Sequence, residues 1–75
     1  MRDPRKNPIV GDVVTRFGTT RAVTAITTSE RGTVTHVTYC HPSVSLPPQV
    51  TTISNWRNWA KFDAMIVKYG PVDAA

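Results

Sequence analysis

Residues 12–17 divide between two faces as a strand does, and the β-branched residues that follow as far as Tyr39 show no helical period. Val13, Thr15 and Phe17 share one face of a first strand, 12–17, with Val14 and Arg16 on the other. Gly18-Thr19-Thr20 reads as the turn into a second strand, 21–28, rich in β-branched residues. Glu30-Arg31-Gly32 turns the chain again, and a third strand, 33–39, completes a meander. The next nine residues, Cys-His-Pro-Ser-Val-Ser-Leu-Pro-Pro (40–48), carry three prolines, which remove ladder donors and make this a loop.

The pattern then changes. A short strand at 49–53 leads to Ser54, whose hydroxyl suits a helix N-cap, and a two-turn helix over 55–62. Ala64–Tyr69 forms the last strand, stopped by Gly70-Pro71. The order is three strands, a proline loop, a strand, a short helix and a final strand. So small an open sheet would bury little on one face, and curling it into a barrel solves that. The expectation is an SH3-like five-stranded antiparallel barrel with one short helix before the last strand. An OB-fold, the main rival, places its helix after the third strand. Residues 1–8 read as a flexible basic lead-in, 9–70 as a single barrel domain and 71–75 as a loose tail. The expected core draws on Val13 or Val14, Val23, Ile26, Val37, Tyr39, Ile53, Trp59 and Ile66.

The segment Asn-Pro-Ile-Val-Gly-Asp-Val-Val (7–14), followed by Gly18, Arg21, Val23 and Ile26, resembles the opening of KOW- and Tudor-type small barrels. With Ile53-Ser54-x-Trp56-x-x-Trp59-Ala60 added, the chain also resembles small uncharacterised proteins encoded by bacteriophages and prophages. The first resemblance implies an SH3-like barrel, the second a phage or prophage origin. Neither transfers a chemistry. The meander supplies only Phe17 and Tyr39 as aromatic walls, which argues against a methyl-lysine cage.

Composition narrows the function classes. Seventy-five residues hold one core, and the single Cys40 excludes an internal disulfide. The charged start has no apolar run behind it and no stretch reaches the ~18 apolar residues of a membrane span, so a cytoplasmic protein is expected. His36, Cys40 and His41 are the imidazole and thiol groups available. Cys40 and His41 point apart in an extended segment, and His36 lies ~13 Å from Cys40 along a strand. No metal site and no cofactor are expected. No separated base accompanies Cys40, the carboxylates fall at turns and element ends, and the glycines stand singly. The expectation is a protein that is not an enzyme.

A formal charge of +4, from nine Lys/Arg and five Asp/Glu, points instead to a polyanionic partner: nucleic acid or an acidic protein surface. The candidate nucleic-acid contacts are Arg16 and Arg21, expected outward on the meander with Arg31, and Arg57 and Lys61 on one helix face. In the alternative reading, Trp56 and Arg57 anchor a protein partner, with Trp59 and Ala60 as the core pair and Trp56 half-exposed. A third reading is a small structural virion component whose barrel edge pairs with a neighbour. In each reading the two tryptophans are either core or binding surface, and the sequence leaves both open.

Overall fold

In the computed structural model, which describes residues 3–43, 45–61 and 63–70, alternation and turn chemistry produce five strands and one helix. They are β1 (Val13–Arg16), β2 (Thr19–Thr28), β3 (Val34–Cys40), β4 (Gln49–Thr52), α1 (Ile53–Ala60) and β5 (Met65–Lys68). All pairings are antiparallel, in the order β4-β3-β2-β1-β5. This is the expected SH3-like arrangement: the meander is completed by β4 on one side, while β5 returns to lie beside β1. The ten-residue β2 serves both halves of the sheet. A register shift between Val23 and Ala25 marks an irregularity at which the sheet can coil over the helix.

Several boundaries move for local reasons. The first turn is tighter than expected, because Arg16 already pairs with Thr19 and only Phe17 and Gly18 lie between. Both have positive φ, +52° and +77°, the requirement of a type I′ hairpin. Phe17 therefore leaves the strand and stands 85% exposed at the tip. The helix starts earlier than expected. Its N-cap is Thr52, not Ser54: the Thr52 hydroxyl accepts from the Asn55 amide at 3.1 Å.

That two-residue shift brings Ile53 into the helix. Ile53, Trp56 and Ala60, at spacings of three and four, now face the sheet. Trp56 and Ala60 are fully buried with Val14 and Val37, and Val23, Tyr39 and Ala64 complete the buried core. Trp59, the expected core tryptophan, lies beside this stripe and packs against it with Ile26, Val34, Ile53 and Ile66. The assignment of the two tryptophans is thus reversed: Trp56 is core and Trp59 is half-buried.

The lead-in is also not frayed where it is described. Pro4 and Pro8 are fully buried, and the Pro4 carbonyl accepts from Trp56 Nε1 at 3.0 Å. Asp12 secures the same end of the molecule. Its buried carboxylate accepts from the Ile9 amide (2.8 Å) and the Gly70 amide (2.6 Å). A Cβ at Gly70 would come within 2.5 Å of the Val10 carbonyl oxygen, so this crossing requires glycine. Arg2, Phe62 and the expected tail 71–75 lie outside the described residues.

Candidate functional site

The helix presents different chemistry on its two flanks. On one side, α1 and the lead-in enclose a groove of about 520 Å³ lined by Asp3, Arg5, Lys6, Arg57 and Lys61. Asp3 builds the turn that forms its wall: its carbonyl accepts from the Lys6 and Asn7 amides, at 2.9 and 2.7 Å. Its carboxylate accepts from the Arg5 amide and, at 3.0 Å, from Arg5 Nε. The hydrogen bonds from Arg5 hold the Asp3 carboxyl below its usual range and, in return, raise the Arg5 guanidinium. Arg5 Nη1 also donates to the Ala64 carbonyl (3.3 Å), tying the lead-in to the segment after the helix.

Arg57 closes the groove by donating from Nε to the Lys6 carbonyl at 2.9 Å. Lys61 follows one turn later, exposed, at the point where the chain leaves the helix with φ +42°. Four cations therefore face one carboxylate, and that carboxylate is already paired with Arg5. Lys6, Arg57 and Lys61 have no acidic partner among the ion pairs of the described residues. The sequence brought Arg57 and Lys61 together by their four-residue spacing. It gave no signal for Arg5 and Lys6, whose contribution depends on Pro4 docking over Trp56.

Arg16 and Arg21 belong to the other flank and do not form the outward patch expected of them. Arg16 follows Val14 on the inner face of β1, and Arg21 pairs with Val14 across the β1–β2 ladder. Both side chains consequently point toward α1. Arg16 Nη1 donates to the Trp59 carbonyl at 2.7 Å, near the helix C-terminus where a cation is favoured. Its Nη2 donates to Asp63 Oδ2 at 3.0 Å, with Nε 3.0 Å from Oδ1. The Arg16 bond lowers the Asp63 carboxyl below its usual range. Arg16 also stacks over Phe17, 4.4 Å from the ring centroid.

Arg21 is held differently. Its guanidinium packs against both the Tyr39 and Trp59 rings, 4.3 and 4.1 Å from their centroids. Partial burial lowers its pKa from the usual arginine value. Nε is sealed from solvent without a hydrogen-bond partner, an arrangement that costs about 1–3 kcal/mol. Packing against two rings offsets roughly 1–2 kcal/mol of this per favourable cation–π contact. Arg31, the third arginine of the expected patch, is exposed in the turn at the far end of β2.

Trp56 does not serve as a protein anchor in this conformation, since it has no exposed surface. Its ring packs 5.5 Å from Trp59 and 6.1 Å from Tyr39, centroid to centroid. His36 is exposed on β3 beside Thr35, and His41 contacts the Thr20 carbonyl at 3.0 Å. Among the described residues no three of His, Cys, Asp and Glu converge on a point that could hold a metal. No helix among them is long and apolar enough to cross a membrane. Comparison with known proteins finds no matching family model, no significantly similar curated protein and no matching solved structure.

Proposed function

We propose that this protein is a non-enzymatic small-barrel module that binds nucleic acid through the groove between its lead-in and α1. The observation that carries the reading is the cluster of Arg5, Lys6, Arg57 and Lys61 around a single, already paired carboxylate. Among the described residues Lys6, Arg57 and Lys61 make no ion pair, which leaves their charge for phosphate neutralisation. A point-charge lysine beside an arginine fork suits a repeating phosphate backbone without base readout. Binding is accordingly weakly sequence-specific. The resemblance to bacteriophage-encoded proteins is compatible with this role, and a cytoplasmic site of action would give it access to nucleic acid.

Fluorescence anisotropy with mixed-sequence DNA and RNA across a salt series tests the reading. The logarithm of affinity should fall linearly with the logarithm of salt, and Arg57→Ala with Lys61→Ala should lower that slope by about two. Absence of binding at low salt would overturn it.

A second reading has its own observation. β5 is an edge strand, and Met65 and Val67 along it, with Tyr69 just after it, are exposed. A structural component that pairs edge to edge with a neighbour would use them. Self-association that is insensitive to salt and lost on Val67→Lys would favour this reading.

A further inference from the structure

Among the arginines of the inner sheet face, Arg21 is the one without an acid. Arg16, its neighbour across the hairpin, spends its donors on the Trp59 carbonyl and Asp63. The Arg21 side chain makes no ion pair and no hydrogen bond among the described residues, and its Nε is sealed. Its two Nη groups, by contrast, are not sealed from solvent. The guanidinium is in contact with two rings at once, 4.3 Å from the Tyr39 centroid and 4.1 Å from that of Trp59, and this contact restricts its movement. Tyr39 is itself fixed, buried and donating from its hydroxyl to Gln49 Oε1 at 3.1 Å.

A planar fork held by packing, with its outer donors unused, is what bidentate oxyanion recognition requires. The rotamer freedom that binding normally removes from an arginine has been removed in advance by the rings. We infer that Arg21, held against both Tyr39 and Trp59, is a preorganised contact for one phosphate of a bound single-stranded nucleic acid. The inference rests on the nucleic-acid reading above and adds a second contact point to it.

The strand form follows from the position of the two sites. Arg57 and Lys61 lie on one flank of α1 and Trp59, two residues from each, on the other. A chain touching both must bend around a helix ~10–12 Å across. Duplex DNA, stiff over ~150 base pairs, does not make that bend, whereas a single strand does. The phosphate at Arg21 and those in the groove would then belong to one strand.

The test substitutes Arg21→Lys, which keeps the charge and loses the fork, in the same anisotropy series with mixed-sequence single-stranded oligonucleotides. We expect binding to weaken about tenfold while the salt slope stays near that of the parent, since the charge is retained. Duplex of the same sequence should lose little. Parent-like affinity of a folded Arg21→Lys protein for single strands would overturn the inference. It would leave the groove reading intact if Arg57→Ala with Lys61→Ala still lowers the slope. Weakened binding by Arg21→Lys with no effect of the groove pair would reject the groove and retain the clamp. Because Arg21→Lys could perturb folding, the Arg21 Nε–Hε resonance of the unsubstituted protein is followed as single-stranded oligonucleotide is added. A saturable shift supports the contact, and a resonance unmoved at saturation refutes it.

Discussion

On one flank of α1, Lys6, Arg57 and Lys61 keep their charged ends in solvent, and Arg57 is fastened through a backbone carbonyl. On the other, Arg16 and Arg21 are drawn into the body of the domain, one onto the helix C-terminus and Asp63, one against two aromatic rings. The residue types are the same and the net charge is shared. What differs is where the backbone begins each side chain. β1 and β2 send Arg16 and Arg21 inward by strand alternation, and inside they can persist only by finding acceptors or rings. α1 sends Arg57 and Lys61 outward from a helix whose opposite face is full. Basic residues counted together in a sequence thus divide by register: Arg16 becomes structural charge, Arg57 and Lys61 stay available, and Arg21 is held against rings with its outer donors unused.

The strongest way to break this division is to remove the residue separating the flanks. Trp56→Ala should destabilise by about 3–5 kcal/mol, since it deletes a fully buried indole and leaves the Pro4 carbonyl without its donor. In so small a domain that is most or all of the stability. Both flanks should be lost together in a thermal melt. A variant that melts within a few degrees of the parent would show that the lead-in, not the indole, organises the groove.

The contrast itself is sharpened by comparing cations across the helix. Arg16→Ala removes a bond to the Trp59 carbonyl and the contact with Asp63, and should cost about 1–3 kcal/mol in denaturant unfolding. Arg57→Ala with Lys61→Ala, on the open flank, should stay within about 0.5 kcal/mol per site. Equal costs on the two sides would dissolve the distinction between structural and available charge.

How much of this was legible in the sequence follows the same line. The strands were readable because Val13–Arg16, Thr19–Thr28 and Val34–Cys40 pair β-branched alternation with glycine turns. The proline loop and the helix before the last strand were readable for similar local reasons. The core tryptophan was not, because Thr52 caps as well as Ser54, and only a helix that starts at Ile53 adds a third apolar residue to the stripe of Trp56 and Ala60. Taking Thr52 as the cap would have placed Ile53, Trp56 and Ala60 in one stripe. Arg16 carried a usable signal as well: it shares a strand face with Val14. Nothing local announces that Pro4 docks on Trp56, 52 residues away, and the groove could not be foreseen without that contact.

The smallest effect concerns acid. Each flank holds one carboxylate lowered by a neighbouring arginine, Asp3 by Arg5 and Asp63 by Arg16. A carboxyl lowered in the folded state adds stability that is fully present above its unfolded value, near 3.8, and is lost as pH falls through the folded value. Stability should therefore decline modestly below pH 3.8. Asp63→Asn should remove part of that decline in melts taken across pH, and an unchanged profile would show that the Arg16 contact does not persist in solution.

The clasp at Asp12 has a consequence for how the chain is made. Its bond to the Gly70 amide spans 58 residues, and the bond from Trp56 to Pro4 spans 52. During translation the β1–β2 and β2–β3 hairpins emerge early, but their inner face stays uncovered until α1 follows. Asp12 can hold the Ile9 amide early, but its bond to the Gly70 amide forms only once residue 70 has been added. The nascent domain therefore has no intermediate length at which its core is closed. Cotranslational folding should appear as one late event, after β5 clears the ribosome, rather than as growth from the N-terminus.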